Sequence, residues 1–349
     1  MPSIMDKLKK NSKLDSDIIT KSKYYGKKDM SPTDVPMLNV ALSGSVEGGL
    51  SPGVTILAGP SKHFKTSFAL KIASAYMKQH SDAVMLFYDS EFGSPQSYFE
   101  MFGIDMERVL HCPITNIEEL KFDITNQLEE IKKDDKVIIV VDSLGNLASK
   151  KEVEDALNEK AVADMTRAKQ LKSVFRIITP HLSMKDIPFI GIAHTYDTQE
   201  MFSKKVVSGG TGLYYSADDI WILGRRQNKE GTSIVGYDFV INVDKSRYVR
   251  EKTNIPISVT WEGGVDAYSG LLDVALAGQF VVKPSNGWYS KVDQETGEVE
   301  EKKYRAKELT EDFWSDILAS DKFKEFVEEN FKINGKTNVE VVDVDEIED

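Results

Sequence analysis

Val54-Thr-Ile-Leu-Ala-Gly59-Pro60-Ser61-Lys62-His63-Phe64-Lys65-Thr66-Ser67 reads as an apolar strand, a loop and the opening of a helix, and that order decides the fold. A loop leading into a helix start gathers backbone N–H groups and the positive end of the helix around an anion. Gly59 through Ser67 are therefore the candidate nucleotide cradle. Within it Lys65 is spaced to reach the β- and γ-phosphates of ATP, and the Thr66 hydroxyl to ligate Mg²⁺. One residue departs from G-x-x-x-x-G-K-[ST]: Phe64 stands at the second glycine. A side chain there must turn away from the phosphates, and the backbone must tolerate its Cβ. On these residues alone, a turn before an ordinary helix stays open.

Two further segments supply carboxylates at the tips of neighbouring strands. Ile138-Ile-Val-Val-Asp142-Ser143 is an apolar run ending in an acid, the arrangement that holds Mg²⁺ directly or through water. Leu86-Phe-Tyr-Asp89-Ser-Glu91 offers Glu91 as a base for water attacking the γ-phosphate. Either segment alone is weak, because buried strands often end in Asp. Three such elements in order are hard to obtain by chance.

Working outward, strand-like runs alternate with helical patterns, the signature of a parallel-rich α/β sheet. Strands are expected at Val54–Ala58, Ala83–Tyr88, Val137–Val141 and Phe189–Ala193, and helices at Lys65–Lys78, Ile117–Ile131 and Val153–Ile178. Past Gly209-Gly210 the rhythm changes. Asp219–Leu223, Tyr237–Val243 and Ile255–Val259 read as shorter strands, so the sheet should end in antiparallel additions. Pro284-Ser285-Asn286-Gly287 punctuates a small C-terminal unit with helices expected at Glu311–Leu318 and Lys322–Asn330.

With 41% hydrophobic residues, the 349-residue chain can bury a large core, which excludes disorder as a whole. Its one cysteine, Cys112, excludes an intrachain disulfide. MPSIMDKLKKNSK carries charges where a secretion signal needs an apolar run, and no stretch approaches the ~20 apolar residues of a membrane helix. The expectation is a cytoplasmic protein without a membrane partner. A net charge of −12 argues against a simple electrostatic DNA binder, since Lys and Arg supply non-specific phosphate affinity. The charge is uneven, however: residues 1–30 hold eight Lys against four Asp, and Val339–Asp349 holds six acids and no base. From charge alone both ends read as solvated.

Taken together, these residues resemble the RecA family of recombinases. Asp89-Ser-Glu91 is similar to the family's D-A-E, and Gly103-Ile-Asp105 follows at its spacing. Val141-Asp142-Ser143-Leu144 resembles its Mg²⁺-holding strand, Gly209-Gly210-Thr211 the end of its second DNA loop, and Gly287-Trp288-Tyr289-Ser290 its C-terminal region. Within the family the chain most resembles the branch found in T-even phages, through Gly59-Pro-Ser-Lys62, Asp142 to Lys151 and Gln199-Glu-Met-Phe-Ser203. That branch also has Phe before the phosphate-loop lysine.

The resemblance implies a fold and a set of roles. The fold is an α/β, RecA-like P-loop ATPase core with a mostly parallel central sheet, an N-terminal polymerisation arm at 1–35 and a core at 36–268. A small C-terminal α+β subdomain at 269–332 and an acidic tail at 333–349 complete it. Lys65, Thr66 and Asp142 match the phosphate and Mg²⁺ residues, Glu91 the catalytic glutamate, and Tyr98 the aromatic that stacks on adenine. Lys245 and Arg247 match cations that reach a neighbour's ATP across a filament interface. His194 stands where RecA has a glutamine sensing the γ-phosphate; a neutral imidazole can still donate one hydrogen bond, and a merely satisfied strand-end histidine stays equally open.

The implied activity is a DNA-dependent ATPase that forms a helical filament with itself on single-stranded DNA and exchanges it into double-stranded DNA. A recombination mediator and a single-strand-binding protein are implied partners. Thr195–Ser208 is the expected DNA loop, with Lys204 and Lys205 for phosphates, Met201 and Phe202 for bases, and Gly209 and Gly210 for mobility. Ala156–Ala163 is the expected first DNA loop, although Glu159 and Asp164 sit badly beside phosphates. The rivals are a hexameric helicase of the same ATPase class, a small-molecule kinase, for which no Arg-rich lid follows Asp142, and a filament protein that binds nucleotide without strand exchange.

Overall fold

In the computed structural model, the described residues are 3–24, 26, 28–158, 166–198, 205–230, 232–261 and 264–333. The strands are β1 Gly53–Ala58, β2 Val84–Asp89, β3 Val109–Pro113, β4 Val137–Asp142, β5 Pro188–Ala193, β6 Thr195–Asp197, β7 Lys205–Val207, β8 Asp219–Glu230, β9 Ser233–Lys245, β10 Thr253–Thr260, β11 Gly264–Val265, β12 Val281–Ser285 and β13 Trp288–Lys291. The α-helices are α1 Ile4–Asn11, α2 Pro36–Ser43, α3 Lys65–Gln79, α4 Gln96–Met101, α5 Ile117–Glu130, α6 Lys150–Leu157, α7 Thr166–Lys185, α8 Gly210–Ser216, α9 Leu271–Ala277, α10 Glu311–Ala319 and α11 Asp321–Phe331.

Nine strands form one sheet in the order β11-β10-β9-β8-β1-β5-β4-β2-β3. From β3 to β8 every pairing is parallel; from β8 to β11 every pairing is antiparallel. The three central strands β1, β5 and β4 are buried at every position. That explains their unbroken apolar runs, because helices cover both faces of a parallel sheet. One face packs on α2, α3 and the C-terminal helices through residues such as Leu38, Phe68, Phe313 and Phe323. The other packs on α5 and α7 through Leu120, Ile124, Phe175 and Leu182. All parallel strands therefore point their C-terminal tips at one edge of the core, where such sheets bind ligands.

Three sequence expectations need correction. The helix expected over 153–178 is instead α6 and α7, and α7 runs on through Pro180 to Lys185. Two of the shorter strands expected after Gly210 are a long hairpin, β8 with 12 residues and β9 with 13, while the third, Ile255–Val259, lies within β10; the polar run Arg225–Glu230 hid the hairpin, since the strand there leaves the core. The half-exposed edge strand β3 and the hairpin β6–β7 were not expected at all. Among the described residues no helix is long and apolar enough to cross a membrane. The acidic tail from 334 onward lies outside the described residues.

Candidate functional site

The loop after β1 wraps the strand tip and enters α3 through Phe64, whose backbone is left-handed at φ 60. Its ring turns inward, stacked on Phe239 with centroids 5.1 Å apart and edge-on to Phe68 at 5.2 Å. Both requirements placed on a phenylalanine at that position are therefore met. Lys65 is 8% exposed, and its ammonium donates to the Pro60 carbonyl at 2.6 Å, folded over the loop. Burial holds its pKa below the ordinary lysine value, against the pull of Glu91 and Asp142.

Asp142 ends β4 directly beneath this loop. The Thr66 hydroxyl donates to its Oδ2 at 2.8 Å, while Oδ1 is buried with no hydrogen-bond partner. Burial pushes the carboxyl up to about 6; the Thr66 hydrogen bond opposes that, and the charges of Glu91 and Asp89 add to it. An orphaned carboxylate oxygen beside a hydroxyl is an oxygen donor pair that fits Mg²⁺ shared with phosphates.

The adjacent strand tips β2 and β4 are tied by Ser90, whose hydroxyl donates to the Ser143 carbonyl at 2.8 Å and accepts the Ser143 N–H at 3.0 Å. Asp89 Oδ1 accepts the N–H groups of Glu91 and Phe92 at 3.0 and 2.7 Å, which fixes the turn carrying Glu91. Glu91 Oε1 in turn accepts the Ser143 hydroxyl at 2.6 Å and stands 3.3 Å from His194 Nε2. Lys65, Thr66, Glu91, Asp142 and His194 thus meet at one edge of the sheet.

Two residues that sequence reasoning passed over hold this cluster. Gly145 follows the tip of β4, and a Cβ there would lie 2.5 Å from His194 Cδ2; only a residue without one lets the imidazole in. The Arg167 guanidinium, from α7, donates to the carbonyls of Leu147, Leu144 and Gly145 at 2.8, 3.1 and 2.9 Å and closes the same turn. The -Ser-Leu-Gly- after Asp142 is a legible turn signal, whereas nothing in a helix pattern marks an arginine that binds carbonyls.

The remaining candidates sit around this edge. Tyr98 is on α4, with 39% of its surface exposed. The hairpin β6–β7 leaves from His194 and closes back on it, for the Ser208 N–H donates to the His194 carbonyl at 2.8 Å. Lys205 is exposed on β7, and Met201, Phe202 and Lys204 lie outside the described residues, as do 159–163 of the first DNA loop with Glu159 and Asp164. Gly209, at φ 125, caps the start of α8, and Gly210 is its first residue. Lys245 is not a free cation: its ammonium donates to the carbonyls of Tyr214, Tyr215 and Ala217 at 2.8, 3.3 and 2.7 Å and so closes the C-terminus of α8. Arg247 is exposed and pairs with Asp218, whose other oxygen accepts the Val54 N–H at 2.8 Å.

Residues 17–266 match the family model described as the RecA N-terminal domain. Residues 268–327 match the one described as Bacteriophage T4, Recombination and repair protein, C-terminal domain. The chain is 52% identical to the Recombination and repair protein of Enterobacteria phage T4 over 343 residues, 96% of this chain and 88% of that one. It is 27% identical to Protein RecA of Chloroherpeton thalassium, over 72% of this chain and 69% of that protein. To the chloroplastic DNA repair protein recA homolog 1 of Arabidopsis thaliana it is 24% identical, over 73% and 58%.

Proposed function

The chain belongs to the RecA family of recombination and repair proteins, and from that premise we infer how its strand-tip cluster works. It is a DNA-dependent ATPase of homologous recombination that pairs single-stranded DNA with a duplex and exchanges strands. ATP lies on the loop Gly59–Ser67 with Tyr98 against its base, and Lys65 leaves the Pro60 carbonyl for the β- and γ-phosphates. Thr66 and Asp142 hold Mg²⁺, which neutralises charge building on the phosphates. Glu91, kept in place by the Ser143 hydroxyl, takes the proton of the attacking water, while His194 senses the γ-phosphate.

Arg247 faces the ATP of a neighbouring protomer once it leaves Asp218, and Lys245 joins it only by giving up the α8 carbonyls, so the nucleotide bridges copies in a helical filament and its hydrolysis loosens the bridge. Single-stranded DNA lies along the Thr195–Ser208 loop, and Ala156–Ala163 forms the first loop. The arm at 1–35 contacts the neighbour, the core spans 36–268, the small subdomain 269–332, and the tail is acidic. A recombination mediator and a single-strand-binding protein are its partners, and it works in the cytoplasm. The observation that carries the ATPase reading is the Thr66–Asp142 hydrogen bond beside an unpaired buried carboxylate oxygen. No observation favours a ring helicase or a filament without strand exchange.

The test is a pair of variants. Lys65→Ala should abolish hydrolysis, and wild-type turnover in it sinks the assignment. Glu91→Gln should keep ATP binding and filaments but lose roughly 10²-fold or more in turnover, as for a missing general base; an equal loss of nucleotide affinity would make Glu91 structural.

A further inference from the structure

The phosphate loop manages without its second glycine, and the β8–β9 hairpin fills the space around the place where it is missing. Phe64 and Lys62 are both left-handed, at φ 60 and 62, a conformation that a Cβ disfavours. Phe64 is held there by its stacking on Phe239 of β9. Lys62 has a different support. Arg225 of β8 donates from Nη1 to the Lys62 carbonyl at 3.1 Å, and its guanidinium lies 4.7 Å above the centroid of the Tyr237 ring. Tyr237 is two residues before Phe239 on β9, their ring centroids 6.1 Å apart, and Phe239 is the register partner of Arg225. One patch of the hairpin thus grips both left-handed residues of the loop. The β8 backbone also approaches the loop closely, since a Cβ on Gly59 would meet the Leu223 carbonyl at 3.1 Å.

We propose that Arg225, carried on the face of Tyr237, is a positioning residue of the nucleotide site, holding the Lys62 peptide in its left-handed turn two residues before the Phe64 that replaces the second glycine. The loop N–H groups then face the phosphates before the nucleotide arrives, so that binding does not have to order them. A planar fork stacked on an aromatic ring suits this task, because it fixes a carbonyl's direction in a way that a lysine ammonium on a flexible stem does not. The site gains a link to the antiparallel half of the sheet: β9 carries Tyr237 and Phe239 at the loop and ends at Lys245. The inference rests on reading Gly59–Ser67 as the phosphate loop.

Equilibrium binding of a fluorescent ATP analogue with Mg²⁺ to the full chain tests it. Arg225→Ala should weaken binding roughly tenfold, the scale of one strained backbone conformation left unsupported. Adding Lys62→Gly to that variant should restore most of the loss, since glycine takes the left-handed turn unaided. Arg225→Lys should stay weak. Parent-like affinity in Arg225→Ala overturns the proposal. So does full affinity in Arg225→Lys together with no rescue by Lys62→Gly, the pattern of a plain charge acting on phosphate. A parent chain that binds no ATP analogue at all overturns the phosphate-loop reading itself, and the brace with it.

Discussion

His194 Nε2 stands 3.3 Å from Oε1 of Glu91, the same oxygen that accepts the Ser143 hydroxyl at 2.6 Å. His194 is also the root of the β6–β7 hairpin, which closes on its carbonyl through Ser208. One residue therefore touches the proposed base with its ring and closes the proposed DNA loop with its backbone carbonyl, so loop order and the freedom of Glu91 can change together. Gly145 makes a direct probe, because the three atoms nearest a methyl group there all belong to His194: Cδ2 at 2.5 Å, the backbone nitrogen at 3.2 Å and Cγ at 3.3 Å. Gly145→Ala should behave like His194→Ala: ATP binding kept, and stimulation of hydrolysis by single-stranded DNA reduced on the order of 10²-fold. Turnover with and without DNA, beside a nucleotide titration, checks this. Full stimulation in Gly145→Ala would mean that the ring's position is immaterial.

A second prediction concerns pH. Asp219 is buried between Ser246, whose hydroxyl donates to it at 2.5 Å, and the neighbouring Asp218. Burial pushes its carboxyl up to about 7; the Ser246 hydrogen bond opposes the shift and the Asp218 charge adds to it. In the unfolded chain the group returns to its ordinary 3.8. Between those values the folded chain binds the extra proton, so this group's contribution to stability falls as pH rises through the window and stays low above it. Asp219→Asn keeps an acceptor for Ser246 and carries no charge. Its melting temperature should gain on the parent's between about pH 5 and about pH 8, by a free energy on the order of a few kcal/mol. A difference between the two proteins that does not change with pH would rule this out.

The interface reading makes a third. In the single chain Arg247 is paired with Asp218, so reaching a neighbour's ATP requires exchanging one anion for another. Arg247→Ala should fold and bind ATP as a monomer, yet lose stimulation by single-stranded DNA. A composite site takes its phosphate loop from one protomer and its cation from the next, so mixing Arg247→Ala with Lys65→Ala creates some intact interfaces. Activity should reappear in mixtures at intermediate ratios. If no ratio recovers it while both variants still assemble, the cation does not act in trans.

How far these features could be read in the sequence depended on how local their causes are. Val54–Ala58, Val137–Val141 and Phe189–Ala193 were legible because a strand buried on both faces must be apolar throughout. Lys65, Thr66, Glu91 and Asp142 were legible from their order, since each ends or begins an element at the same sheet edge. Arg167 and Gly145 were not, because their partners are backbone carbonyls and an imidazole from elements distant in sequence. Phe64 read as an objection, because the aromatic that holds it, Phe239, lies 175 residues further on. Lys245 read as a free interface cation, although it closes α8 in its own chain.

The DNA loop gives the last prediction, and it separates two kinds of contact. Phe202 and Lys204 lie outside the described residues, but their segment falls between β6 and β7, and Lys205 is exposed as the first residue of β7. A base wedge and a phosphate contact leave different marks on a salt titration. Base stacking is worth about 1–3 kcal/mol per base and releases no counterions, so Phe202→Ala should weaken single-strand binding with little change in the slope of log K against log salt. Each lost phosphate contact should instead flatten that slope by roughly 0.7 on a single strand. Lys204→Ala with Lys205→Ala should therefore flatten the plot by about 1.4 if both lysines touch phosphate, and lose most affinity at low salt. DNA binding measured over a range of salt concentrations decides between them. If both variants bind like the parent throughout, single-stranded DNA does not run along residues 195–208, and the coupling from His194 to Glu91 would need another trigger.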